Sequence, residues 1–307
     1  MATRKRARGP RVWILSRSAR LYSTKRLVEA ARELGALVTV VDPLSCELAW
    51  GPRGVSLRLS GEPVELPHVV IPRVGARSAR TGLGVLTQLE VLGCALVNTA
   101  HGISHARDKL LSAQRLVAAG LPVPATALVR SQRSLQKAVR ELGGPPVIVK
   151  MPRGSQGVGV MLAQTHDEVE AHAQALWQLG QEVLLQQFVV EAAGADIRAL
   201  VVGGKLVAAM QRRARDGEFR ANVHQGGTVA PLRLGRAERR LAERAAEAMG
   251  LGMAGVDLLV SRRGPLVLEV NASPGLRGIE GATGVDVAGA IARHALALCQ
   301  RAGRAVG

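Results

Sequence analysis

Between Gly255 and Asn271 the chain reads Gly-Val-Asp-Leu-Leu-Val-Ser-Arg-Arg-Gly-Pro-Leu-Val-Leu-Glu-Val-Asn, two apolar runs around a polar break at Arg262-Arg263-Gly264. Runs joined by so short a break double back on each other, which predicts an antiparallel hairpin. A turn centred on Arg263 sets residues equidistant from it face to face, so Asp257 lies opposite Glu269. Asn271 shares the face of Glu269, because side chains alternate along a strand. Like charges directly opposite each other destabilise a sheet unless a cation lies between them. Two carboxylates and an amide oxygen are hard donors suited to Mg²⁺ that also holds phosphate oxygens. Otherwise both acids simply point to solvent, or a slip of one residue in the register breaks the pair.

Such a hairpin needs a core to rest on. With 307 residues, 47% of them hydrophobic, the chain is globular and long enough for two or three modules of roughly 100 residues each. Three Trp, one Tyr and two Phe leave almost nothing on which to stack nucleic-acid bases. No apolar run approaches the roughly 20 residues that cross a bilayer. The run after the basic start, Val12 to Leu15, is far shorter than a signal-peptide core. Cys46, Cys94 and Cys299 are odd in number and widely spaced, as expected of reduced thiols. These features predict a soluble, cytoplasmic protein with no membrane partner.

The pattern from residue 12 gives strand Val12–Leu15, helix Thr24–Leu34 and strand Leu37–Val41, a βαβ unit that predicts a parallel sheet. A strand pair at Val55–Leu59 and Val64–Leu66, a strand His68–Ile71, a helix Leu83–Leu92 and a strand Ala95–Val97 complete an open α/β module over 12–103, after a basic tail, 1–11. A helix Ser104–Ala119 then leads into Gly120-Leu121-Pro122-Val123-Pro124, which stops it. Strands and helices alternate through a second module, 104–182, and the third, 183–307, holds two hairpins and two further helices. The overall class is α/β and α+β.

Two other segments can carry chemistry. The strand Val147–Lys150 enters a loop with Gly154, Gly157 and Gly159, where backbone N–H groups can approach phosphates beside the Lys150 ammonium. The loop is neither GxxxxGK[ST] nor GxGxxG, and an ordinary hairpin loop has the same composition. Between Gly194 and Arg213, Gly203-Gly204 marks a hairpin whose far end carries Asp196, Arg198, Gln211 and Arg213, the mouth of a site or a solvated rim. Arg220, Asn222 and His224 follow in a loop. His101 and His105 lack the carboxylate of HExxH, which removes a zinc-protease reading.

Together these residues resemble the RimK branch of the ATP-grasp ligases, over about Val12 to Ile291. The likeness is carried by Ile71-Pro72-Arg73-Val74-Gly75, Ala106-Arg107-Asp108-Lys109, Gly154-Ser155-Gln156-Gly157-Val158-Gly159, Asp196-Ile197-Arg198, Phe219-Arg220-Ala221-Asn222 and, most specifically, Glu269-Val270-Asn271-Ala272-Ser273-Pro274-Gly275. The resemblance implies an ATP-grasp fold behind an N-terminal open α/β, pre-ATP-grasp, domain. It implies that Lys109 and Lys150 contact ATP phosphates under the loop Gly154, Ser155, Gln156 and Gly157, and that Gln187, Phe188 and Asp196 line the adenine and ribose. Arg220, Ala221 and Asn222 would approach the phosphates, with Asp257, Glu269 and Asn271 on two Mg²⁺ or Mn²⁺ ions. Gln187 departs from the family, where Glu is usual, and Phe188 replaces a common Tyr.

The implied reaction is phosphorylation of a carboxylate by ATP, then attack of an amine on the acyl phosphate. Arg220 would stabilise the transferred group, and Arg198 and Arg213 would anchor substrate carboxylates. Glutamate would be joined to the acidic C-terminal tail of a protein or peptide, in ribosomal-protein modification or poly-α-glutamate synthesis, by a homo-oligomer, a tetramer by resemblance. A net charge of +17 suits such a polyanionic acceptor. The same chemistry on a biosynthetic carrier protein or a cofactor precursor, and a basic RNA- or ribosome-binding module, are the alternatives.

Overall fold

The computed structural model describes residues 9–52, 54–152, 159–215, 218–219 and 227–305. Strand β1 (Arg11–Leu15), helix α1 (Tyr22–Glu33) and β2 (Leu37–Val41) form the expected βαβ unit. Next comes a small antiparallel sheet of β3 (Cys46–Gly51), β4 (Gly54–Leu59) and β5 (Glu62–Pro63). The main partner of β4 is therefore β3, not Val64–Leu66. That segment lies between Pro63 and Pro67, which interrupt its capacity to pair. Strand β6 (Val69–Pro72), helix α2 (Ala79–Val91) and β7 (Ala95–Leu96) complete a parallel sheet ordered β2-β1-β6-β7.

The single helix expected over Ser104–Ala119 is two, α3 (Ala100–Arg107) and α4 (Lys109–Ala118). Asp108 between them is extended, and its carboxylate accepts from the N–H groups of Leu110 and Leu111 at 3.0 and 3.2 Å. An Asp that caps one helix ends the one before it. The break makes Lys109 the first residue of α4, with its N–H on the Pro152 carbonyl at 3.0 Å.

The second module comprises β8 (Thr126–Val129), α5 (Gln132–Glu141), β9 (Val147–Lys150), β10 (Val160–Ala163), α6 (His166–Gln178) and β11 (Val183–Gln187). Its antiparallel sheet is ordered β10-β9-β11-β8. The boundary expected between 182 and 183 thus cuts off an interior strand, since β11 pairs with both β9 and β8. One face packs Val129, Val147, Val149, Val183 and Leu185 against Leu135, Val139 and Leu176 of the two helices as a separate core. The other face carries Thr126, Ile148, Lys150, Leu184 and Gln186.

The third module is a sheet ordered β14-β13-β12-β15-β16, built from β12 (Ala195–Val202), β13 (Lys205–Arg213), β14 (Thr228–Pro231), β15 (Met253–Ser261) and β16 (Gly264–Asn271). Helix α7 (Arg236–Ala248) covers Ile197, Ala199, Val256 and Leu258 with Leu241, Ala242 and Ala245, and this core runs on into Trp13 and Leu15. Helices α8 (Arg277–Thr283) and α9 (Val287–Ala305) cover Leu200, Val202 and Met210, and that core runs on into Ile14 and Leu27. The first and third modules therefore share both cores, and α9 packs beside α1. Among the described residues no helix is long and apolar enough to cross a membrane, and the three cysteines are free thiols.

Candidate active site

The site is built on the hairpin of β15 and β16, with an unexpected register. Ser261 lies opposite Gly264 and Leu258 opposite Val267, so the turn is the two-residue Arg262-Arg263 rather than one centred on Arg263. Continued unchanged, that register would put Leu268 opposite Asp257. A β-bulge intervenes, and Asp257 meets Glu269 while Gly255 meets Asn271. The extra residue lets Val270 and Ala272 follow Val267 into the core under α7. It turns Glu269 and Asn271 to the opposite face, as bulges beside functional sites commonly do.

Asp257 does not wait alone for a cation. Arg198, its partner across β12 and β15, donates from Nε to Oδ1 at 2.7 Å and from Nη2 to Oδ2 at 2.6 Å. Arg212 donates to both oxygens of Asp196 at 2.6 Å and to Oδ2 of Asp257 at 2.8 Å. The result is a charge-balanced ladder, Asp196–Arg212–Asp257–Arg198, of bidentate pairs. Burial opposes ionisation of Asp257, which is 1% exposed, but the two guanidinia hold its carboxyl down to about 2. Burial and the neighbouring Asp257 charge push Asp196 up to about 6.

Arg212 was not singled out by the sequence, which pointed to Arg213. The cause is a second bulge, in the hairpin of β12 and β13, where the register shifts between Leu200 and Val201. An unbroken ladder from Gly203-Gly204 would put Gln211 and Arg213 on the face of Asp196 and Arg198; the shift replaces them with Arg212. Arg213 is exposed and pairs with Ala195. Asp196, expected beside the ribose, has both carboxylate oxygens engaged by Arg212.

The two lysines come from the other side. Lys150, 7% exposed, donates from Nζ to Gln186 Oε1 at 3.0 Å; Gln186 Nε2 donates to Thr126 Oγ1 at 3.0 Å, and Thr126 Oγ1 to the Pro124 carbonyl at 2.9 Å. Burial, helped by Lys109, pulls Lys150 down to about 8, against the attraction of Glu269. Burial lowers Lys109 too, opposed by Glu269 and Asp108. Both ammonium groups and Glu269 thus share one field, cations from α4 and β9 set against the acidic end of β16. Gln186 precedes the expected Gln187, and in the run Leu185-Gln186-Gln187 nothing in the sequence marks which of the two adjacent glutamines faces Lys150.

Gln187 is exposed, its N–H on the Ala125 carbonyl at 2.8 Å, and Phe188 follows it half-buried. Gly154, Ser155, Gln156, Gly157, Arg220, Ala221 and Asn222 lie outside the described residues. Among the described residues no three His, Cys, Asp or Glu side chains form a self-contained metal cluster. The donors present instead suit an open Mg²⁺ site shared with phosphates. Asn271 Nδ2 donates to Glu269 Oε1 at 2.9 Å, which leaves the Asn271 amide oxygen as an acceptor. Glu269 and Asn271 therefore fit a hard cation, while Asp257 is already engaged by Arg198 and Arg212. A surface concavity of about 520 Å³ lined by Gly204, Arg240, Glu243 and Gly250 lies beside α7 and shares no residue with this cluster.

Residues 11–103 match the RimK PreATP-grasp domain and residues 106–295 the RimK-like ATP-grasp domain. The chain belongs to the RimK-like ATP-grasp family. It is 48% identical over 281 residues to a probable alpha-L-glutamate ligase of Thioalkalivibrio sulfidiphilus, covering 92% of this chain and 93% of that one. A probable alpha-L-glutamate ligase of Marinomonas sp. is 45% identical over 284 residues, covering 92% and 94%. Among solved structures, the RimK domain ATP-grasp protein of Sphaerobacter thermophilus superposes with a TM-score of 0.72 at 29% identity, covering 93% and 99%. The ATP-grasp ligase PsnB, solved with its minimal precursor, shares the fold at TM-score 0.74 and 22% identity, covering 94% and 99%. The RimK-family chain is thus an ATP-grasp ligase, with the pre-ATP-grasp domain in front.

Proposed function

We propose that this RimK-family ligase uses ATP and Mg²⁺ to add glutamate to the C-terminal carboxylate of an acidic protein or peptide in the cytoplasm. The observation that carries the reading is that Lys109 on α4 and Lys150 on β9 both feel the charge of Glu269, which is joined to Asn271 at the end of β16. A polyphosphate would be held between them, with ammonium groups on one side and metal donors on the other.

Lys109 and Lys150 would hold phosphate oxygens by charge-assisted hydrogen bonds. Glu269, Asn271 and, once Arg198 yields, Asp257 would hold Mg²⁺, which neutralises charge on the phosphoryl group as it is transferred. Arg212 fixes Asp257 through the ladder. Arg198, whose Nε and Nη2 are on Asp257, would receive a substrate carboxylate as it releases that partner, and Arg213, exposed on the rim, would be a second anchor. Arg220, Ala221 and Asn222 would meet the phosphates, the Gly154–Gly157 loop would cover them, and Gln187 and Phe188 would meet adenine through their backbone. The acceptor carboxylate takes the γ-phosphoryl group, ADP leaves, and the glutamate amine displaces phosphate to form the amide. The protein contributes mainly position and charge.

The test is mass spectrometry of the protein incubated with ATP, Mg²⁺ and each amino acid in turn, with and without a peptide ending in Glu-Glu. Masses rising by glutamate residues, with ADP formed in step, are expected. ADP formed only with another amino acid or a carrier protein would move the assignment to a biosynthetic relative, and RNA affinity with no ADP under any condition would overturn it.

Gln186 gives a second test. Gln186→Leu leaves the buried Lys150 ammonium without its side-chain acceptor. The KM for ATP should rise about tenfold with a smaller change in kcat. An unchanged KM in steady-state ADP assays would remove Gln186 from any role in placing Lys150.

A further inference from the structure

The ligase reading leaves unused a row of arginines at the edge of the first module. Helix α1 packs on Val12 and Ile14, on one face of the parallel sheet, and α2 on Trp13 and Leu15, on the other. The chain therefore leaves neighbouring strands β1 and β6 in opposite directions, which makes their carboxyl ends a topological switch point, the place where open α/β sheets bind ligands in the crevice between the departing loops. The loops leaving there start side by side: Leu15 lies opposite Pro72, and the Arg73 N–H donates to the Leu15 carbonyl at 2.9 Å. They read Ser16-Arg17-Ser18-Ala19-Arg20 and Arg73-Val74-Gly75-Ala76-Arg77, four arginines and no acid.

Of the four, Arg17 has Asp42 at 3.7 Å. Among the described residues Arg20, Arg73 and Arg77 meet no carboxylate. Arg20 and Arg77 are exposed; Arg73 is partly buried, and burial without a counter-charge pulls it down to about 10. Among the described residues its side chain makes one hydrogen bond, from Nη1 to the Pro274 carbonyl at 2.8 Å, which leaves most of its five N–H donors for a ligand. Pro274 lies three residues beyond Asn271, and Ser273 Oγ donates to the Pro72 carbonyl at 3.4 Å. The crevice therefore adjoins the exit of the strand that carries Glu269 and Asn271.

We propose that this crevice is the acceptor subsite, in which Arg73, Arg20 and Arg77 pair with the side-chain carboxylates of an acidic peptide whose terminal carboxylate lies toward Glu269 and Asn271. An amino acid brings its carboxylates to one spot, whereas arginines spread over two loops match an acidic chain. The phosphate-facing lysines lie on other elements, α4 and β9, so the crevice is free for the acceptor. This assignment rests on the ligase reading, and the experiment separates the two.

The full-length chain carrying Arg20→Ala with Arg77→Ala, and separately Arg73→Met, would be compared with wild type in two assays. One is fluorescence anisotropy with a labelled tetraglutamate peptide; the other is ligation, giving KM for peptide, glutamate and ATP. The exposed double variant, which has no packing to lose, should raise the peptide Kd and KM about fivefold and flatten their salt dependence. Arg73→Met should raise both about tenfold or more. KM for glutamate and ATP should stay within about twofold, a pattern that general destabilisation does not produce. A raised KM for glutamate with an unchanged one for peptide would overturn the proposal in favour of an amino-acid site, and wild-type values throughout would overturn it outright. If wild type ligates glutamate and the variants match it, the subsite alone fails; if wild type binds the peptide through these arginines yet ligates nothing, the ligase reading alone fails.

Discussion

Glu269→Gln is expected to lower ADP formation by about 10²- to 10³-fold while the melting temperature stays within about 2 °C of wild type. The two halves of this expectation have separate causes. Glutamine keeps the shape of the side chain and an oxygen that can accept from Asn271, whose Nδ2 lies 2.9 Å from Glu269 Oε1. The bulge that aims residue 269 is a backbone feature, and although Glu269 adds to the field that keeps Arg198 charged, the guanidinia of the ladder are paired by Asp196 and Asp257. What is lost is the anionic donor that faces Lys109 and Lys150. Glu269 also opposes the burial that lowers both lysines, so in the variant their pKa values fall further. A lysine is charged below its pKa, so residual activity should survive better toward lower pH. A folded Glu269→Gln protein that makes ADP at close to the wild-type rate would remove residue 269 from the metal site.

How far the site could be read in the sequence depended on whether the ladders were regular. The βαβ unit and most helices followed their apolar periodicity, and Lys150 stood out as a charge ending a buried strand. Register was different. In the β12–β13 hairpin Gln211 and Arg213 stand out as polar positions at the far end, and the bulge beside Leu200 puts Arg212 instead on the face of Asp196 and Arg198. In the β15–β16 hairpin two departures cancelled: a tighter turn moved the register by one, and a bulge moved it back. A bulge depends on what packs beneath it, here Val267, Val270 and Ala272 under α7, and local pattern does not encode that. Asp108 was legible in principle, since Asp before an apolar run is a cap signal, but the helical period on both sides masked it. The strand β11 showed where its own apolar run began, yet only its pairing with β8 and β9 showed which module owned it.

Asp257→Asn is expected to act first on stability. Asp257 is 1% exposed and takes three hydrogen bonds from Arg198 and Arg212. Neutralising it leaves two buried guanidinia with only Asp196 between them. Breaking a buried pair in this way costs about 3–5 kcal/mol, enough to lower the melting temperature by about 10 °C. The sign with pH is fixed by the direction of the shift. The carboxyl is held at about 2 against an ordinary 3.8, so its contribution is present above about pH 4 and is lost as pH falls toward 2. The difference between wild type and variant should therefore be widest near neutrality and narrow below pH 4. Adding Arg198→Met removes the orphaned cation and leaves Arg212 with Asp196, so the double variant should be more stable than the sum of the single changes predicts. Because the third module shares both of its cores with the first, the effect should appear in the unfolding of that joint body, separately from the core of the central sheet. Thermal unfolding of the three variants from pH 3 to 8 measures all of this. A melting temperature for Asp257→Asn equal to wild type throughout that range would mean that Asp257 is not the counter-charge of the ladder.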